Sequence, residues 1–384
     1  MRGRLIYIRN LISIAVLLAG FAGSAAASNH PLEKGPDDVQ RNYWLPKELN
    51  RSGTLKTLRN MVGNPAIQFS GSQNKPVDIA LIYPSADVSD FWVRNDLAMT
   101  RRLDEMGIAY RITKFVSRQI EHALQTDYIT QVVLNAENFD YVVFGPSELA
   151  KQTDNIDKLA KNSEFKTYVW AFHTPPKQLA VQPATWFDFS STEGALKLCN
   201  HLMKRLGDDV LIAMNRGMEG ITDHQRSTVF KDCVVDKGNW NVQYEHNGDY
   251  QRSGGFDGTN KILQSYPDVT VIHNANTAMA LGSVDAQTAA NKTNTFFTTG
   301  WGGTKLELDM IRRGELNATP MRMGDDVGIA TAEAIKADLE SRADDMPRVF
   351  LGRITIAHDK LKSDELDALE QEAFRYSGES ANQR

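Results

Sequence analysis

Cysteine is nearly absent from this chain, which carries two in 384 residues, Cys199 and Cys233. That scarcity excludes a disulfide-dense scaffold and a Cys-rich zinc module. There is no CxxC, and neither thiol has an adjacent basic residue to activate it. The eight histidines are scattered without ligand spacing. HExxH, GxSxG, a Walker loop and GxGxxG are all missing; Gly302-Gly303-Thr304-Lys305 has the wrong order for a phosphate loop. No nucleophile–base pair or metal cluster can be named, so nothing in the residues requires an enzyme. Basic charge is not in surplus either: the net charge is −5, which gives no footing for nucleic acid. Beyond the N-terminus no uninterrupted apolar run reaches membrane-spanning length, so a membrane connection has to come through a partner.

What is present begins with a leader. Arg2, Arg4 and Arg9 precede an apolar stretch at 11–22 and the small residues 23–27, the pattern of a secretory signal peptide over 1–27 with cleavage after Ala27. No Cys follows to take a lipid, so the expectation is an exported, soluble, periplasmic protein. The remaining roughly 350 residues exceed what one hydrophobic core organises, which points to two domains. Export permits a Cys199–Cys233 disulfide, and two buried free thiols are the equal alternative.

Residues 28–76 read as an irregular N-terminal extension with Asn42-Tyr43-Trp44 and a helical piece at 55–62. From Val77 strands and helices alternate, with strands near 78–83, 140–145, 167–172, 186–190, 209–215, 241–246, 269–275, 295–300 and 316–322. This alternation predicts an α/β fold of right-handed crossovers and largely parallel sheets. Nine strands are too many for one compact sheet of this length. The reading is therefore two doubly wound parallel-sheet domains joined by a multi-strand hinge, with a ligand cleft between them. The Pro-rich segment His173-Thr174-Pro175-Pro176 is the expected first crossing, with others near 321–325 and 350–353. The lobes so defined are 77–175 plus about 323–350, and about 176–322 plus about 351–376.

Ligands of open α/β folds lie at the carboxyl ends of strands. Four strand ends carry unusual residues besides the first, YPSADVSDFW, which offers Asp87, Ser89 and Trp92. Arg226 opens a helix, where its charge opposes the macrodipole; its alternative is a solvent-exposed Arg. Thr277 follows VTVIHNAN, where helix capping alone would explain it. Trp301 precedes two glycines that admit close backbone approach, against the alternative of a core Trp. Arg322 sits at an expected crossing, and a structural pairing with Asp325 or Asp326 competes with a cleft role.

Several motifs resemble the autoinducer-2-binding periplasmic proteins, within the wider ribose-type periplasmic binding proteins: VSDFWVRN from Val88, ALGSVDA from Ala280, GWGG from Gly300, MRMGDDVGIATAEAIKADLE from Met321 and AFRYS from Ala373. The resemblance covers nearly the whole mature chain. It implies a type I periplasmic binding protein clamshell that binds a furanose-derived signal and reports to the periplasmic domain of a membrane hybrid sensor kinase; a sugar receptor serving an ABC importer is the alternative. It also implies ligand contacts from Ser89, Trp92, Arg226, Thr277, Trp301 and Arg322, with Asp87 added at the position where the family pattern has Gln. Two other departures stand out, Ala171 where the pattern has Asn and Ala278 where it has Asp. A carboxylate at Asp87 would repel an anionic borate diester, so a neutral polyol is expected rather than the borated form, and no cofactor or metal is expected.

Overall fold

The computed structural model describes residues 41–86, 90–118 and 120–378. The expected leader, the first part of the extension, and Asp87 and Ser89 lie outside the described residues. Among the described residues twelve strands form two six-stranded sheets. In chain order they are β1 (Val77–Pro84), β2 (Tyr110–Ser117), β3 (Tyr141–Phe144), β4 (Lys166–Trp170), β5 (Thr185–Phe189), β6 (Leu211–Arg216), β7 (Asn241–Asn247), β8 (Val271–Asn274), β9 (Phe297–Thr299), β10 (Ala318–Arg322), β11 (Val349–Gly352) and β12 (Ile354–His358). The first sheet has the order β11-β5-β4-β3-β1-β2 and is parallel throughout. The second, β12-β10-β9-β8-β6-β7, is parallel except for its edge strand β12, which runs antiparallel to β10.

Strand β1 shows why the chain folds this way. VDIALIY is apolar almost without interruption because both faces are covered. Ile79, Leu81 and Tyr83 face a core shared with helices Phe91–Met106 and Asp326–Leu339. Ala80 and Ile82 face the opposite core, beneath helices His122–Leu134 and Leu149–Lys161. Small residues explain the fit of helix Asp326–Leu339: a Cβ on Gly328 would come within 2.2 Å of the Asn95 carbonyl. Trp170 and Trp186 are fully buried, and an apolar burial of that kind contributes about 2–3 kcal/mol for each side chain.

All nine expected strands form. Two of the three expected crossings also lie where the sequence placed them, at Arg322 to Asp326 and at Gly352 to Ile354. The first does not. After Pro175-Pro176 the chain returns to the first sheet, where β5 pairs with β4 and β11, and it leaves at Phe189–Ser191 instead. The stiff Pro-Pro segment has another use: Trp44 N–H donates to Pro175 O (2.9 Å), Lys177 N–H donates to Asn42 O (2.8 Å), and Tyr43 bridges Pro176. It docks the N-terminal extension. The first lobe thus keeps residues up to 189 rather than 175.

The extension then covers an edge that would otherwise be open. Asn50 exchanges two hydrogen bonds of 2.8 Å with the backbone of Val349 in β11. Arg59 of helix Thr54–Gly63 donates to Leu351 O (2.6 Å). In the second lobe Cys199 and Cys233 form a disulfide with Cα atoms 6.2 Å apart, joining helices Ser191–Leu206 and Val229–Gly238.

Candidate ligand-binding cleft

The second lobe sends two guanidinium groups to the carboxyl ends of its strands. Arg226 lies in a π-helical turn, His224–Thr228, inserted ahead of helix Val229–Gly238; such wide turns recur at functional sites. The helical run begins earlier than expected, at Ile221, so Arg226 lies in its second turn and not its first, and its contacts are local. The guanidinium stacks 5.3 Å from the Trp301 ring, Nε donates to Ser191 Oγ (3.3 Å), and Nη1 donates to Ala275 O (3.3 Å). Arg322, at the end of β10, lies between two rings of the first lobe, 5.2 Å from Phe91 and 5.7 Å from Phe189.

Asp325 and Asp326 do not hold Arg322. Asp325 accepts from Tyr376 N–H (2.7 Å) and Ser377 N–H (2.9 Å), and Asp326 pairs with Arg353 (2.8 Å). Among the described residues the Arg322 guanidinium has no hydrogen-bond or ion-pair partner. Its pKa is pushed down to about 10, by burial first and by Arg226 second, with Asp188, Asp90 and Glu307 acting the other way. Burial likewise lowers that of Arg226, against the nearby charges of Tyr250, Asp188 and Glu307. An unpaired, desolvated cation flanked by aromatic faces is poised to donate to an oxygen-rich guest.

The loop Gly300-Trp301-Gly302-Gly303 is wrapped around a buried carboxylate. Glu307 accepts from the N–H groups of Trp301 (2.9 Å), Gly303 (2.6 Å) and Thr304 (3.2 Å). A Cβ on Gly303, which has φ +66, would meet the Met321 backbone at 2.3 Å, so the turn requires glycine there. Burial raises the Glu307 pKa despite these donors. Thr277 donates to Trp301 O (3.3 Å), which ties the two strand ends together. The cap of helix Thr277–Ala289 is Asn276 rather than Thr277: its side chain accepts from Met279 N–H (2.9 Å).

Arg226, Arg322, Thr277 and Trp301 are therefore brought together. Both tryptophans pack inward. The Trp301 ring is 2% exposed, belongs to the second lobe's core and fills the space beside Gly194, where a Cβ would meet it at 2.4 Å, so it has the core setting weighed for it as well as the stacking on Arg226. Trp92 does the same in the first lobe. It is 6% exposed, belongs to the first lobe's core, and occupies the space beside Gly145, where a Cβ would meet its ring at 2.5 Å. Its neighbour Phe91 is the ring that faces Arg322.

Sequence reasoning also passed over Phe189 and Asp188 at the end of β5, although the strand-to-helix rule applies there as well. His173 Nδ1 lies 2.7 Å from Asp188 Oδ2. Tyr250 left no such signal. It has φ +60 beside Asp249 at φ +52, an unfavourable backbone for a bulky residue. Its hydroxyl is buried without a partner among the described residues. Glu307 was legible, since Thr304-x-x-Glu307 is a capping box, and the structure forms it.

Two six-stranded sheets linked by three strand-end crossings, with Arg322 of one lobe between two rings of the other, define a two-lobed α/β fold. Residues 79–342 match the family described as periplasmic binding protein domain, and the chain belongs to that family, whose members are binding proteins rather than enzymes. The ribose import binding protein of Haemophilus influenzae is 30% identical over 139 residues, which is 35% of this chain and 46% of that protein. Its Escherichia coli counterpart is 25% identical over 135 residues, 35% and 45% of the two chains. The chain thus spans about half the length of the curated relatives it matches. Among solved structures, a solute-binding protein of an ABC transporter from Actinobacillus succinogenes with bound D-allose superposes at TM-score 0.66 and 13% identity, over 77% of this chain and all (100%) of that one. A galactofuranose-binding protein gives TM-score 0.64 at 16% identity, over 78% of this chain and 100% of that chain. These likenesses establish the clamshell fold. Among the described residues no helix is long and apolar enough to cross a membrane, and no cluster of three or more His, Cys, Asp or Glu could hold a metal ion.

Proposed function

We propose that this protein is a periplasmic receptor for a small sugar, bound in the cleft through Arg226, Arg322, Thr277 and Trp301 together with Phe91, Phe189 and Asp188. The observation that carries the reading is Arg322, a cation without a partner among the described residues and held between Phe91 and Phe189. Aromatic faces suit the carbon side of a sugar ring, guanidinium forks suit vicinal hydroxyls, and a carboxylate such as Asp188 accepts from them. The relatives named as ribose import proteins favour delivery to an ABC permease over signalling to a sensor kinase. Asp87 and Ser89, which precede Phe91 in the sequence and lie outside the described residues, stay in this reading as proposed ligand contacts.

Autoinducer 2 remains the second reading, favoured by one feature: two guanidinium groups from one lobe would suit an anionic borate ester. A thermal-shift and calorimetric panel separates the two. It comprises D-ribose, D-allose and galactofuranose, and the autoinducer 2 precursor with and without borate. A sugar giving the largest stabilisation and micromolar or tighter binding supports the import receptor. Borate-dependent binding of the precursor tighter than that of every sugar restores the signal receptor. No binding to any of them by folded protein overturns both.

A further inference from the structure

Away from the cleft, a hollow of about 340 Å³ opens between helix Ser191–Leu206 and edge strand β12. We infer that this hollow binds a phosphate-type oxyanion. One wall carries Lys197, His201 and Lys204, which the helical repeat aligns on one face; His358 stands on the other. The imidazole rings of His201 and His358 stack with centroids 4.6 Å apart and planes inclined by 27°. His201 Nε2 is buried with no partner among the described residues. An orphaned ring nitrogen in a polar hollow costs free energy that an anion's oxygen, accepting from Nε2–H, would offset.

The charges around the hollow agree with this. Its carboxylates are already engaged: Glu193 pairs with Lys197 (2.8 Å), and Asp359 takes both arms of Arg205 and the Asn317 amide. Glu365, on helix Ser363–Ala373, accepts from Lys362 N–H (2.7 Å). Lys204 has no carboxylate partner among the described residues. Positive charge is therefore left over locally in a chain whose net charge is −5. Burial, the mutual approach of the rings and the basic neighbours Arg205 and Lys204 hold His201 down to about 4, with Asp359 opposing; His358 is also lowered, by burial and Arg205. An anion would reverse that balance. A metal ion fits less well, because nearly parallel rings do not aim their in-plane lone pairs at one point, and the lysines repel a cation.

Inorganic phosphate is the probe, titrated at about pH 6.0 and pH 7.5 into full-length mature protein by calorimetry, with histidine NMR followed from about pH 3.5 to 7.5 with and without phosphate. Wild type should bind phosphate and raise the midpoint of the His201 resonance by about one pH unit or more. Lys204→Glu, a surface change, and His201→Gln should each weaken binding by about tenfold or more while sugar binding in the cleft is unchanged. Flotation with phosphatidylglycerol vesicles, lost in Lys204→Glu, would assign the phosphate to a lipid headgroup; phosphate binding without flotation assigns it to a free anion. Histidine resonances that ignore phosphate, or equal affinity in wild type and Lys204→Glu, overturn the site.

Discussion

Replacing Arg322 by Met should stabilise the empty protein and weaken its ligand binding. A pKa of about 10 lies more than two pH units below the ordinary guanidinium range, and at about 1.4 kcal/mol per unit this costs the charged form about 3 kcal/mol at neutral pH. Losing the stacking on Phe91 and Phe189 returns about 1–2 kcal/mol of that. The balance is a gain of about 1–2 kcal/mol, read as a higher urea midpoint and a melting temperature raised by a few degrees. Binding should fall by about 10- to 150-fold, the range set by hydrogen bonds from a charged donor. Unfolding in urea and calorimetry with the most stabilising sugar of the panel measure both quantities on one preparation. Arg322→Lys serves as the control, since it keeps charge but loses the planar fork, and it should lose affinity without gaining stability. A destabilised Arg322→Met would show that the guanidinium holds the fold together. Unchanged affinity in a stable variant would remove Arg322 from the site.

Three further outcomes are expected. Ala171 follows β4 with φ +74, a left-handed backbone costing a residue with a Cβ about 1–2 kcal/mol; Ala171→Gly should gain about 0.5–1 kcal/mol after the glycine entropy cost, and a loss in urea would contradict the strain. Reduction of Cys199–Cys233, separated by 34 residues, should cost about 3–4 kcal/mol on the chain-entropy model, and melting that is indifferent to reductant would refute it. Asp325 is raised to about 6 by burial, above its unfolded value of about 4, so the folded state binds more protons between these values and wild-type stability rises as pH falls through that window. Asp325→Asn should lack that slope, and an identical slope in both proteins would exclude Asp325 as its source.

The fold was readable because most strands are buried on both faces. VDIALIY in β1 and its partners announce themselves as apolar runs. Strand β2 did not, because YRITKFVS is an edge strand whose Arg111 and Lys114 face outward. Strands β11 and β12 are four and five residues long and meet at the hinge, so they registered as a crossing rather than as strands. Arg226 and Trp301 drew notice through the helix dipole and through two following glycines, yet Arg226 lies in the second turn of a helical run that starts at Ile221, and the Trp301 ring packs inward against Gly194. Which of two adjacent aromatics meets Arg322 was not legible. Phe91 and Trp92 differ by one helical step of about 100°, and the choice was made by Gly145, a vacancy across the lobe that receives the Trp92 ring.

The hinge is stiffer than three crossings alone would make it. Helix Ser363–Ala373 packs on the second lobe, yet the residues after it dock on the first. Arg94 Nη1 donates to Ser377 Oγ (3.2 Å), and Asp325 anchors the Tyr376 and Ser377 amides. The C-terminal segment is therefore a fourth crossing. The N-terminal extension meets it at Arg102, a fully buried cation that donates to Met61 O (2.9 Å), Asn64 O (3.1 Å), the Tyr376 hydroxyl (3.0 Å) and Glu333 (2.8 Å). A buried ion pair of this kind is costly to break on one side, so residues 61–64 of the extension and Tyr376 are held to the first lobe through one side chain. Arg59 continues the contact across the hinge, bonded to Leu351 O and 3.8 Å from Glu193 of the second lobe. Opening must stretch the Arg59–Glu193 pair and flex the 374–377 segment as well as twist three connections. On the proposed function, ligand affinity should then depend on residues outside the site, because any change in the free energy of an open state would change the fraction of protein competent to close.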